Sequence, residues 1–274
     1  MSIKGRRVGF VGGGNMAEAL IRGLLDTHLV PADLLAATDV RPERTAQLAR
    51  QFAITAHADN ARLVREADVV VLAVKPQVMA TVLAEIGPTV TARHLLISIA
   101  AGVSTAAIRA ALGKDARIIR VMPNTPALVG QGAAAIARGK GIGPEDLATA
   151  EEIFGAVGRA VVLDEEQMDA VTGLSGSGPA YVAIVIESLA DGGVRMGLDR
   201  ATAMTLATQT VLGAARLLAE TGMHPGALKD MVSSPGGTTI AGIAALEEGG
   251  IRTALIQAVE RATQRSRELG RGPA

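Results

Sequence analysis

The chain has 274 residues, 49% hydrophobic and 20% charged, with Lys+Arg and Asp+Glu at 27 each and a formal net charge of zero. That composition excludes an intrinsically disordered chain and offers nucleic acid or an anionic membrane no electrostatic attraction. Cysteine and tryptophan are absent and aromatic residues make up 1%, which rules out disulfides, thiolate catalysis and Cys-type zinc sites and leaves little material for base stacking.

The N-terminus leads through Lys4-Gly5-Arg6-Arg7 into a predicted first strand, Val8–Val11. That run is too short for a signal-peptide core, and no apolar run reaches membrane-spanning length, so a soluble cytoplasmic protein is expected. Val11-Gly12-Gly13-Gly14-Asn15-Met16-Ala17 follows. Its spacing fits G-x-G-x-x-A through Gly12, Gly14 and Ala17, and it sits between a strand and a helix at Asn15–Leu25. Gly12 permits the tight turn, Gly14 lets the backbone approach a pyrophosphate, and Ala17 lets the helix pack on the strand. The motif alone is weak. At the start of a βαβ pattern it points to a dinucleotide.

A second strand, Leu34–Thr38, ends at Asp39-Val40-Arg41. An acid about 20 residues past the glycine turn bonds the ribose 2′-OH of NAD, whereas an arginine there holds the 2′-phosphate of NADP. Asp39 and Arg41, with Arg44 close behind, give conflicting signals, and the arginines tip the expectation toward NADP. Arg41–Arg44 also reads as an ordinary solvated helix start. The predicted elements then run helix Pro42–Phe52, strand Val69–Val74, helix Gln77–Ile86, strand Leu95–Ile99, helix Thr105–Leu112 and strand Ile118–Val121. Two short runs, Ala133–Ala137 and Ala160–Leu163, flank a helix opened by Pro144-Glu145-Asp146. Continuous apolar strands separated by helices predict a mostly parallel sheet buried on both faces. Ligands in such sheets lie beyond the strand C-termini, which places Ala73-Val74-Lys75-Pro76 and Ser98–Gly102 along the groove. Lys75 equally suits a surface charge at a strand end.

From Asp164 onward no strand is predicted. The helical patterns are Glu165–Leu174, Pro179–Met196, Arg200–Glu220, Gly226–Val232, Thr239–Glu247 and Ile251–Leu269. The organisation expected is therefore an α/β Rossmann domain over residues 1–163 and an all-α helical domain over 164–274. Several of these helices are apolar nearly all round, which requires burial on several sides and predicts a helix-mediated homo-oligomer. Glu165-Glu166 reads as the acidic first turn of a helix. Between two helices lies Ser233-Ser234-Pro235-Gly236-Gly237-Thr238-Thr239. A glycine turn feeding a helix N-terminus leaves backbone N–H groups free for a small carboxylate or phosphate, and hydroxyls add neutral donors. The same run also fits a plain helix cap and turn. The four histidines (His28, His57, His94, His224) have no ligand spacing, and no metal site is expected.

Five segments together resemble the pyrroline-5-carboxylate reductase family: Gly12-Gly13-Gly14-Asn15-Met16, Ala73–Gln77, Arg120–Pro126, Leu174–Tyr181 and Ser233–Gly242. The resemblance runs the length of the chain. It implies a Rossmann domain followed by a helical dimerisation and substrate domain, with NADPH, or alternatively NADH, as cofactor. The implied assembly is a homodimer, built up into a larger ring such as a decamer, with no nucleic-acid or membrane partner. By motif, the cofactor would be held by Gly12, Gly14, Asn15, Met16, Asn60, Ala73, Val74, Lys75 and Pro76, with Met122, Pro123 and Asn124 at its nicotinamide end. Ser234, Gly237 and Thr238 would hold the carboxylate of 1-pyrroline-5-carboxylate, and Thr239 would face its ring nitrogen. The residue inventory agrees with imine rather than alcohol chemistry. Hydroxyacid dehydrogenases of related architecture carry a lysine on the long helix after the nucleotide domain, and Pro179–Met196 has none; no Tyr-x-x-x-Lys occurs anywhere.

Overall fold

In the computed structural model, which describes residues 3–270, eight strands form one sheet in the order β3-β2-β1-β4-β5-β6-β7-β8. They are β1 Val8–Val11, β2 Leu35–Thr38, β3 Thr55–Ala56, β4 Val69–Leu72, β5 Leu95–Ser98, β6 Arg117–Met122, β7 Gly132–Arg138 and β8 Gly158–Asp164. All neighbours pair in parallel except β6 and β7. The exception follows from chain length: only a short connection, with a 3-10 turn at Thr125–Val129, joins the two. A parallel crossover needs a dozen or more residues, so β7 must return antiparallel. The helix α6, Pro144–Gly155, then supplies the crossover that makes β8 parallel to β7.

Each residue of β1, β4 and β5 is buried. Alternate side chains feed two cores. Phe10, Val69, Val71, Leu95 and Ile97 pack with Leu20, Leu24 and Phe154 on one face. Val11, Val70, Leu72 and Leu96 pack with Leu63, Leu83 and Ile108 on the other. The helices covering these faces are α1 Asn15–Asp26, α2 Pro42–Phe52, α3 Asn60–Glu66, α4 Met79–Ile86, α5 Thr105–Leu112 and α6. Burying one Val or Ile side chain contributes roughly 1.5–3 kcal/mol, so the continuous apolar runs read from the sequence are what hold this sheet.

Several predicted elements shift. Ala32–Leu34 is a 3-10 turn and the second strand begins at Leu35. The two-residue β3 and the short α3 escape sequence reading because one is exposed and the other buries only Leu63 and Val64. The expected helix Glu165–Leu174 is three pieces: a 3-10 turn Glu165–Gln167, the short α7 Met168–Val171 and a π turn Thr172–Gly176.

By compactness the described chain divides into residues 3–177 with 261–270, and residues 178–260. The second unit holds α8 Gly178–Arg195, α9 Arg200–Thr221, α10 Pro225–Met231, α11 Thr238–Glu248 and the first half of α12, Ile251–Gly270. Its buried core is slight: Ala190, Ala203 and Ala207, with Ile186 and Val194 against them. Close helix approach is possible because Gly193 faces Ala203. Many large apolar side chains remain exposed in the single chain, among them Ile184, Leu189, Leu206, Leu212 and Ile256. An exposed apolar surface of that extent marks an interaction face. No helix of the described residues is long and apolar enough to cross a membrane.

Candidate active site

The strand order reverses between β1 and β4, and ligands bind open α/β sheets in the crevice at that point. Both turns leaving the crevice are interlocked. Gly12 follows β1 at φ +96°, a conformation open to glycine, and its N–H donates to the Thr38 carbonyl at 3.0 Å. The Ala73 N–H donates to the Val11 carbonyl at 2.8 Å, and the Ala73 carbonyl lies directly beneath Gly12. Gly14 is the N-cap of α1 and offers no side-chain cap, so the first N–H groups of α1, at Asn15, Met16 and Ala17, face outward as donors for an anion. A Cβ on Gly14 would meet no protein atom within 4 Å. The space is thus open for a pyrophosphate, and the residues present fit a dinucleotide.

Asp39 and Arg41, whose signals conflict in the sequence, are bonded to each other in the structure. Asp39 Oδ2 accepts from the Gly13 N–H at 3.0 Å. Its Oδ1 accepts from the Arg41 N–H at 3.0 Å and from Arg41 Nε at 3.2 Å. Burial works against the charge on Asp39, yet these N–H bonds and the Arg41 guanidinium hold its carboxyl below the usual range. Both oxygens are therefore engaged, Oδ2 in bracing the glycine turn and Oδ1 in holding Arg41. Arg44 is engaged too: Nε donates to the Gly13 carbonyl, and its terminal nitrogens reach Glu18 and Gln47. Arg41 differs, since its side chain is 60% exposed and only Nε is bonded.

Asn60 opens α3 beyond the C-terminal end of the sheet. Its Oδ1 accepts from the Thr38 hydroxyl at 2.6 Å and its Nδ2 donates to Glu85 at 2.8 Å. Val74 is half-buried, and Lys75 and Pro76 are exposed after β4. Met122 ends β6, followed by the buried Pro123. The Asn124 amide is spent on the protein: Nδ2 donates to the Ser175 carbonyl at 3.0 Å, and Oδ1 accepts from the Ala133 N–H at 2.8 Å. This bond takes a carbonyl of the π turn, in which the Ser177 N–H instead reaches Thr172. Such π turns are frequent at functional sites. The residue pair Gly176 and Ser177 signals irregular backbone, but nothing in their types specifies a π turn or its tie to Asn124.

On the helical unit, Ser234-Pro235-Gly236-Gly237 closes a tight turn in which the Gly237 N–H donates to the Ser234 carbonyl at 3.0 Å and Gly236 has φ +67°. Gly237 is the N-cap of α11 and supplies no side-chain cap. The first N–H groups of α11, at Thr238 and Thr239, are therefore free in the described chain. Within α9 the hydroxyls of Thr205, Thr210 and Thr221 fold back on the carbonyl four residues earlier. The hydroxyls of Thr238 and Thr239 make no such bond. Neutral donors around an uncapped helix N-terminus suit a carboxylate.

Two carboxylates have roles that sequence reading missed. Glu165, expected only as a first-turn acid, accepts from the N–H of Thr105 at 2.8 Å and from its hydroxyl at 2.5 Å. Asp169 accepts from the buried Ser266 hydroxyl at 2.6 Å. Their partners are distant in sequence, and no local pattern signals them. Among the described residues no group of three or more His, Asp or Glu could hold a metal.

Glycine turn, switch-point crevice and helical unit define a pyridine-nucleotide-dependent oxidoreductase built from a Rossmann domain and a helical domain. Two family models match the chain: pyrroline-5-carboxylate reductase dimerisation over residues 165–269, and NADP oxidoreductase, coenzyme F420-dependent, over residues 7–102. A pyrroline-5-carboxylate reductase of Methanosarcina acetivorans is 51% identical over 98% of this chain and 100% of its own length. A solved pyrroline-5-carboxylate reductase of Coxiella burnetii superposes with a TM-score of 0.92 at 37% identity, covering 96% of this chain and 98% of that one. The Plasmodium falciparum pyrroline carboxylate reductase, solved with NADP bound, gives a TM-score of 0.86 at 33% identity, covering 97% of this chain and 99% of the other. The chain belongs to the pyrroline-5-carboxylate reductase family.

Proposed function

We infer that this protein reduces 1-pyrroline-5-carboxylate to L-proline with NADPH or NADH, the closing step of proline biosynthesis. The observation that carries this reading is the uncapped N-terminus of α11 with its unbonded hydroxyls, a carboxylate site in a chain that also carries a dinucleotide crevice. The bound cofactor supplies a hydride to the C=N carbon. Gly12 sets the tight turn, and Gly14, Asn15 and Met16 bind the pyrophosphate through backbone N–H groups; Asp39 braces that turn and Arg41 takes the 2′-phosphate. Asn60, Ala73, Val74, Lys75 and Pro76 line the crevice, and Met122, Pro123 and Asn124 bound its nicotinamide end, with the Asn124 side chain acting as a strut.

Ser234, Gly237 and Thr238 hold the substrate carboxylate, and Thr239 bonds the ring nitrogen, donating to the imine and accepting from the iminium N–H. The iminium form is already electrophilic and brings its own proton. Orientation of the two bound molecules then lowers most of the barrier, on the order of 7–11 kcal/mol in the best cases. Thr239→Ala removes one hydrogen bond worth about 1–3 kcal/mol and is expected to lower kcat/KM about ten- to hundred-fold without unfolding the protein. An unchanged kcat/KM would remove Thr239 from the mechanism. For Arg41→Ala, the KM for NADPH rises about tenfold, equivalent to one charge-assisted contact, while the KM for NADH stays within about twofold. Equal changes for the two nucleotides would show that Arg41 does not read the phosphate.

The functional division places residues 1–163 with the nucleotide and 164–274 with substrate and partner subunit. The exposed apolar helices support a homodimer; further assembly into a decamer and a cytoplasmic location belong to the same proposal. Steady-state rates with 1-pyrroline-5-carboxylate, 1-piperideine-2-carboxylate and short 2-oxo acids test the substrate assignment: the five-membered imine is expected to give the highest kcat/KM, and a preference for either alternative overturns it.

A further inference from the structure

Arg120 lies in the C-terminal half of β6, level with Ser98 on β5. Its side chain is 8% exposed, and its nearest charge is Glu165, at 3.9 Å from Nη1 to Oε1. Nη2 is buried with no hydrogen-bond partner. Burial pushes the guanidinium's pKa down against the opposing pull of Glu165 and Asp169. A buried ion pair at such a distance, with a nitrogen left unsatisfied, recovers little of its desolvation cost, and apolar replacements of such pairs are often neutral or stabilising. Stability therefore does not account for Arg120.

Its position does. Glu165, the partner, clamps Thr105 through both N–H and hydroxyl, and Thr105 is the first residue of α5. The segment between β5 and α5, residues 99–104, leaves the sheet at the end where the crevice opens. Two residues beyond Arg120 on the same strand face is Met122, followed by Asn124, whose amide holds the π turn that Glu165's own turn leads into. The guanidinium thus meets, through Glu165, the residue at which the loop after β5 enters α5, and it shares its strand with Met122 at the lip after β6.

We propose that Arg120 and Glu165 form a positioning pair that fixes the β5–α5 loop and the Met122–Asn124 lip relative to each other, and so sets the nicotinamide end of the crevice for hydride transfer. This rests on the reductase reading above. Neither residue touches substrate or cofactor in this role; Arg120 acts through Glu165.

The test compares the wild type with Arg120→Met, Arg120→Lys, Glu165→Gln and the Met/Gln double variant. Each is assayed for kcat, both KM values, NADPH affinity, Tm and the isotope effect with 4-deuterated NADPH. Arg120→Met is expected to lower kcat about tenfold, with both KM values within about twofold and Tm unchanged or higher. The isotope effect rises as hydride transfer becomes the slower step, and Arg120→Lys recovers most of kcat. Glu165→Gln strands the guanidinium and lowers Tm; adding Arg120→Met restores Tm but not kcat. Unchanged kcat in Arg120→Met overturns the proposal, as does a fall in Tm with activity lost only in step with folded protein. A wild type that binds NADPH yet does not reduce 1-pyrroline-5-carboxylate refutes the reductase reading and the proposal with it; turnover by the wild type with full activity in Arg120→Met refutes the pair alone.

Discussion

Gly12→Ala is expected to weaken NADPH binding about a hundredfold while leaving a folded protein. Gly12 sits at φ +96°, and a Cβ there would lie 2.6 Å from the Ala73 carbonyl oxygen and 3.0 Å from a Val74 methyl. A left-handed backbone costs an L-residue about 1–2 kcal/mol, and crowding against neighbouring atoms adds about 1–3 kcal/mol. The carbonyl belongs to backbone pinned by the Ala73 N–H bond to Val11, so the glycine turn is what moves. Displacement carries the Gly14 backbone and the N-terminus of α1 away from the pyrophosphate. About 2.7 kcal/mol of lost binding corresponds to a hundredfold in Kd. Calorimetric titration of the variant with NADPH checks this, and a Kd within about threefold of wild type would show that the turn does not hold the nucleotide.

Gly158→Ala is expected to cost about 3 kcal/mol of stability, a drop in Tm of roughly 6–12 °C. Gly158 opens β8 at φ +154°, paired with Gly132 at the start of β7. A Cβ would stand 2.0 Å from the Gly132 carbonyl oxygen and 2.4 Å from its nitrogen. Both are backbone atoms of the first pair in the ladder, and the Gly132 N–H is already committed to the Val157 carbonyl at 2.8 Å. The strands can only separate or slip, and a one-residue slip turns each side chain to the opposite face. The damage extends to the site: the next residue, Ala133, donates to Asn124, so loosening this end of β7 frees the strut at the lip of the crevice. Differential scanning calorimetry measures the shift; a Tm within about 2 °C of wild type would show that the ladder tolerates the methyl.

Much of this was legible in the sequence because its physics is local. The apolar runs of β1, β4 and β5 fill both faces of the sheet, so each residue of them is buried, and a run without polar interruption can satisfy no other environment. The glycine turn at Gly12–Gly14 and the turn at Ser234–Gly237 are written in residue types that few backbones require. What stayed hidden depends on partners far apart in the chain. The antiparallel β7 follows from a connection too short to cross over, which becomes visible only once the strand limits are known. The π turn at Thr172–Gly176 is tied to Asn124, and Thr105 is clamped by Glu165, both more than 45 residues distant along the chain. The sequence tips the opposing signals of Asp39 and Arg41 toward NADP but does not show how Asp39 is engaged, because the Gly13 N–H that occupies it comes from another turn.

The central claim is that one chain joins a dinucleotide crevice to a carboxylate-binding helix N-terminus in order to reduce a cyclic imine. The most direct measurement is loss of reduced-nicotinamide absorbance when the purified protein is mixed with 1-pyrroline-5-carboxylate and NADPH or NADH, with proline quantified in the same sample. One proline formed for each cofactor oxidised, at a rate that falls in Thr239→Ala, is the predicted result; cofactor binding without proline formation would contradict it.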